Sequence, residues 1–273
     1  MSIGPFDLTG GPFLILYGFL FVATIVTGFV IPRRLRPEGR PSRVTDEDQV
    51  AFLAGGRARF GDALVARLLA TKALMMTGKD HFSVQDRSGG ATLAERSVLA
   101  LYPPVRWRDI EQALKPYADP VARKLTQAGL LVSDGERANL RFYALLPYVM
   151  LFTFGATKWV IGDLRDKPIG FLSVLLIATF VFGLIRFFTI DRRTQSGLAA
   201  LENAKLQAQR LKAAPTAPEM GLAVALFGTA VLVGSGFDDF HKLRAASSDG
   251  GSSGGDGGDG GGCGGGGCGG CGG

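Results

Sequence analysis

Pro12–Ile31, PFLILYGFLFVATIVTGFVI, is followed at once by the basic cluster Arg33, Arg34 and Arg36. At about 1.5 Å per helical residue, this uncharged run is long enough to cross a hydrocarbon core of roughly 30 Å. The chain is therefore read as an α-helical membrane protein whose first transmembrane helix covers 12–31. Asp7 precedes this helix and no Lys or Arg does, so the positive-inside bias puts the N-terminus outside and residues 33–141 in the cytoplasm of a bacterial inner membrane. The run lacks the basic leader, short apolar core and small-residue cleavage site of a signal peptide, and is read as retained.

Two later stretches repeat the signal. Tyr143–Ile161 is the second predicted span, its Pro147 and Gly155 being tolerated in bilayers. The short loop Gly162–Pro168 turns the chain back into the third span, Ile169–Phe188. Lys158 and Arg186 fall near the ends of these spans, where snorkelling to the interface accounts for them. Gly221–Gly236 is apolar but short, and is read as a helix packed on the extramembrane domain or lying at the interface, with a fourth crossing as the alternative.

Between the first two spans lies a Pro- and charge-rich linker over 32–44, then a domain over 45–142. Thr45 is the predicted N-cap of a helix that stops at Gly55 and Gly56. Leu64, Val65, Leu68 and Leu69 recur at helical spacing, and Ala73–Thr77 with His81–Val84 reads as a hairpin around Gly78, Lys79 and Asp80. Val121-Ala122-Arg123-Lys124-Leu125 echoes Val65-Ala66-Arg67-Leu68-Leu69 at a distance of 56 residues. The expected architecture is thus an α+β domain of tandem winged-helix-like units, the second hairpin ending near Phe142. A cytoplasmic helix is expected over 196–213. The Gly/Cys-rich stretch 247–273 is expected to be disordered, because glycine loses the most backbone entropy on ordering and buries nothing.

A formal charge of +6 and a pI near 9.4 fit basic residues at the inner ends of spans, in contact with the lipid bilayer and its anionic headgroups. They also admit nucleic acid as a partner. Arg67, Arg123 and Lys124 are the nucleic-acid-binding candidates, on helices with Arg57, Arg59 and Lys72 nearby in the first unit. Cys263, Cys268 and Cys271 are the metal candidates, since closely spaced thiolates can share one soft ion. Their flexible glycine surroundings oppose that reading, and thiol crosslinking is an alternative. His81 and His241 are read as surface histidines. Gly234-Ser235-Gly236 lacks the full GxSxG pattern of a nucleophile elbow. No catalytic residue and no cofactor is assigned.

Ala51-Phe52-Leu53-Ala54-Gly55-Gly56-Arg57, Lys167-Pro168-Ile169-Gly170-Phe171-Leu172, Val224-Ala225-Leu226-Phe227-Gly228 and the terminal Gly/Cys run, taken in this order, resemble a family of uncharacterised bacterial membrane proteins with low-complexity Gly/Cys-rich C-termini. The resemblance covers nearly the whole chain and implies no activity or site residue. The leading expectation is a non-enzymatic interaction or scaffold protein that presents a cytoplasmic domain at the membrane to a protein partner. A membrane-tethered DNA-binding regulator and a metal- or thiol-handling protein are the alternatives.

Overall fold

A computed structural model describes residues 10–164 and 170–249. Three of its helices are long and apolar enough to cross a membrane: α1 (Gly10–Arg34), α5 (Asp134–Asp163) and α6 (Gly170–Phe188). Only 17%, 22% and 22% of their most apolar windows is buried, so most of their apolar surface, including Phe19, Phe171 and Ile177, is left for lipid to cover.

The three helices pack on small residues and a few large ones. Phe13, Tyr17, Leu151 and Leu172 form the buried cluster. Gly155 lies where any Cβ would meet the Tyr17 ring and Leu176, and Gly183 lies against Tyr148. Such close approach substitutes van der Waals contact for the hydrophobic drive that lipid removes. Tyr17 Oη and Thr179 Oγ1 share a hydrogen bond at 3.0 Å. Arg186 Nε donates to the Gly28 carbonyl at 2.8 Å, and Lys158 Nζ stands 5.1 Å over the Phe13 ring. Both charges thus make contacts within the helix bundle.

The extramembrane unit is built around α2 (Glu47–Ala70). Asp46, not Thr45, caps this helix, its carboxylate accepting from the Asp48 N–H at 3.1 Å. The predicted stop at Gly55 and Gly56 is a kink: both have non-helical backbone angles, and the helix resumes beyond them. Strand β1 (Leu74–Gly78) pairs antiparallel with β2 (His81–Val84), which pairs with the short β3 (Val105–Arg106). Helix α3 (Leu93–Leu99) precedes β3, and α4 (Trp107–Gln127) follows it. Thr92 and Glu95 form a capping box that starts α3.

The second hairpin of the expected tandem is not formed. After β3, residues 129–132 contribute only an isolated bridge between Leu131 and Arg193, and the residues expected to form its second strand are the first turns of α5. The cause is local: Ser133 and Glu136 make a reciprocal capping box, which starts a helix that the apolar run after Phe142 simply continues. The predicted boundary at 142/143 therefore lies inside a helix.

The domain also extends beyond its predicted limits, because its core does not close within 45–142. The same buried cluster includes Leu201 of α7 (Gln195–Gln207), Met220, Val224, Ala225 and Leu226 of α9 (Met220–Phe227), Leu232, and Phe240 of α10 (Asp238–Asp249). The helix expected over 196–213 is α7 with the short α8 (Arg210–Ala213), which leads on to α9. The apolar segment after Gly221 packs on α2, with Val224 and Ala225 wholly buried. The α5–α6 pair is an insertion in a discontinuous domain.

The ends of that insertion are tied together and to the linker. The Val132 N–H donates to the Arg192 carbonyl at 2.8 Å and the Thr194 N–H to the Leu130 carbonyl at 3.1 Å. From the linker, Pro37 and Glu38 carbonyls accept the N–H groups of Gln195 at 3.1 Å and Ser196 at 2.9 Å, while the Arg40 N–H reaches the Gly129 carbonyl at 3.4 Å. Glycine permits this convergence: a Cβ on Gly39, whose φ is +75°, would run into the Gly129 carbonyl, and one on Gly197 into the Leu130 carbonyl.

Candidate functional site

Helix α2, which carries Arg57, Arg59 and Arg67, runs through the core of the unit: Leu64, Val65, Ala66 and Leu68 are at most 1% exposed. It cannot also lie in a nucleic-acid groove. Arg57 is paired with Asp119 at 2.7 Å. Arg67 is held by three carboxylates, Glu47 at 3.1 Å, Asp48 at 3.2 Å and Glu95. Glu95 also accepts the Ala91 and Thr92 N–H groups through its other oxygen. Burial pulls the Arg67 pKa down, but Glu95 and Asp48 outweigh it and the net shift is upward. A guanidinium so engaged ties α2 to α3 and has little left to offer a phosphate. Arg123 and Lys124 are exposed on α4.

A second buried charge cluster has no counterpart in the sequence reading. Asp62, 7% exposed, receives the Arg244 Nε at 2.5 Å. Arg244 in turn lies over the Trp107 ring, 4.3 Å from its centroid. Trp107 Nε1 donates to Glu111 at 2.6 Å, and its backbone N–H to Asp80 at 3.1 Å. Burial raises the Asp62 pKa against the opposing pull of Arg244 and Arg59, and burial lowers that of Arg59. The signal in the sequence is a carboxylate between Phe60 and Ala63 on an otherwise apolar helix face. Its partner, 182 residues away, carries no signal at all.

Asp80, Trp107 and Glu111, at the edge of this cluster, line a groove of roughly 940 Å³ between the β1–β2 hairpin and α10. Met76, Trp107 and Leu243 supply apolar lining, and Lys79, Asp80, Glu111 and Lys242 charge. Lys242 is paired with Asp238 at 2.8 Å and Asp239 at 3.4 Å. Across the hairpin a second cleft is lined by Leu69, Met75, Phe237 and Phe240, and Met75 is half exposed. Both clefts thus combine apolar positions with a charged rim.

His241 Nδ1 hydrogen-bonds Thr229 Oγ1 at 3.0 Å, and His81 lies in β2 opposite Arg106. The Ser235 hydroxyl donates to the Leu232 carbonyl at 2.6 Å. Among the described residues no group of three His, Cys, Asp or Glu side chains is placed to hold a metal ion. Cys263, Cys268 and Cys271, with the rest of the stretch expected to be disordered beyond residue 249, lie outside the described residues. No family model, curated protein or solved structure matches the chain.

Proposed function

We propose that this chain is a non-enzymatic membrane protein that holds an interaction domain at a fixed attitude to the bilayer. The observation that carries this reading is the junction. All three membrane helices feed into one hydrogen-bonded knot of residues 36–40, 129–132 and 192–196, and α5 runs without a break from the domain into the membrane. A flexible tether would suffice for a domain that only needed to stay nearby. Tied at three points, this one presents its hairpin and flanking clefts in a set direction.

In this reading the hairpin is the wing that meets a protein partner, and the domain faces the cytoplasm of a bacterial cell. In this reading the chain crosses three times, α9 belongs to the domain core, and the cysteines beyond residue 249 are expected on the same side as that domain. A membrane-impermeant thiol reagent should then label Cys263, Cys268 and Cys271 only after cells are permeabilised. Labelling of intact cells would refute the orientation. For the interaction itself, a photo-crosslinking side chain at Met75 or Lys79 should trap one discrete adduct in cells, and the same probe at exposed Leu206 should not. Substrate turnover by the purified chain, lost on a single side-chain change, would overturn the non-enzymatic reading.

A further inference from the structure

Where α5 leaves the junction, its first turns carry two arginines whose burial the protein does not compensate. Arg137 is 6% exposed, and its Nε and Nη2 are buried without a hydrogen-bond partner, as is the Nε of Arg141. Burying a guanidinium without acceptors is strongly unfavourable by general transfer arguments. Positions 137, 140, 141 and 144 share one helix face by their spacing of three and four. On that face Leu140 and Ala144 join Val132 and Ile190 in a buried cluster, and Arg141 lies over the Phe187 ring at 5.0 Å. Arg141 is thereby directed at the segment where α6 ends, and Arg137 shares its helix face one turn earlier.

The carboxylates of this segment are engaged elsewhere or exposed. Asp191 pairs with Arg36 at 3.2 Å and Arg193 at 3.8 Å. Glu136 is consumed in the Ser133 capping box, and Asp134 is exposed in the first turn of α5. Arg192 adds a further cation to the same place, its carbonyl accepting from Val132. α5 and α6 turn apolar just beyond, so when these helices span a bilayer this level meets its interface.

We propose that Arg137 and Arg141 form a binding site for a phosphate group, supplied by the headgroup of an anionic phospholipid at the root of the α5–α6 hairpin. A phosphate diester offers the acceptors that two guanidinium forks need, and only in an anionic lipid is its charge not cancelled by a cation on the same headgroup. Bound there, it would give the unpartnered nitrogens their acceptors, and anionic lipids concentrate at surfaces of this charge. Binding there would also brace the junction from its membrane side.

The test is thermal unfolding of the purified full chain in an uncharged detergent, titrated with phosphatidylglycerol, phosphatidylcholine or inorganic phosphate. Phosphatidylglycerol should raise the midpoint saturably, and phosphatidylcholine far less. Arg141→Gln and Arg137→Gln should each weaken the apparent affinity by roughly tenfold, the loss of one charge-assisted hydrogen bond. The double change Arg33→Gln and Arg34→Gln, at exposed positions on α1, should leave it near the wild-type value. If inorganic phosphate alone gives the full shift, the site stands and its source is a soluble phosphate. If Arg137→Gln does not fold, Arg141→Gln and Arg137→Lys carry the comparison. Equal sensitivity to the Arg33 and Arg34 change would mean diffuse attraction, and it overturns the site, as does the absence of any ligand-dependent shift.

Discussion

The Arg193 Nη2 donates to the Ala54 carbonyl at 2.8 Å. Ala54 stands immediately before Gly55 and Gly56, where α2 leaves helical geometry. The chain leaving α6 thus supplies a donor to a carbonyl at the kink. A kink written into the sequence by two glycines is thereby tied to the end of a membrane helix by a residue 139 positions away.

Arg193→Ala removes this charge-assisted bond and one partner of Asp191. The expected cost is about 2–3 kcal/mol in the extramembrane unit, read as a lowered denaturant midpoint of the detergent-solubilised chain. Arg193→Lys, which keeps the charge but not the fork, should recover only part of it.

Gly56 has φ +62° and ψ −151° with open space around a would-be Cβ. Its requirement is purely conformational, in a backbone region that is essentially glycine's alone. Gly56→Ala should destabilise by roughly 1–3 kcal/mol, and trimming neighbours should not relieve it. Unchanged stability would mean that the kink does not need this geometry.

Within the bundle, Gly155→Ala forces the Tyr17 ring from a position fixed by its bond to Thr179. Overpacking of this kind costs about 1–3 kcal/mol. In a Tyr17→Phe background the bond is already absent and the ring can tilt, so the same change should cost less. A double-mutant cycle on thermal midpoints measures that coupling, and strict additivity would argue against the contact.

Burial lifts the Asp62 carboxyl above its ordinary value of 3.8. Between 3.8 and the raised value the folded chain holds more protons than the unfolded one. This group's contribution to stability therefore grows as the pH falls through the raised value, and it is complete below the unfolded value. Relative to Asp62→Asn, which does not titrate, the wild type should gain stability on acidification from neutral pH, followed by denaturant midpoints. The opposite trend would show that Arg244 holds the carboxylate below its ordinary range.

The sequence by itself determined the three long apolar helices, because length and lack of charge over Pro12–Ile31 and its two counterparts are sufficient for a span without reference to any partner. It also placed the β1–β2 hairpin, whose turn chemistry at Gly78–Asp80 is local. The echo of Val65–Leu69 in Val121–Leu125 misled, since a shared helical motif does not dictate the structure of the residues after it. The Ser133–Glu136 box does dictate that structure, and it favours a helix over a second hairpin. Only the tertiary structure decided that α7, α9 and α10 complete the core begun by α2, that Arg67 is spent on Glu47, Asp48 and Glu95, and that Asp62 meets Arg244. Those are pairings across the membrane insertion, between separate helices, or between the two arms of the kinked α2. A residue's neighbours at such distances are set by how whole apolar faces pack, a property that no window of sequence contains.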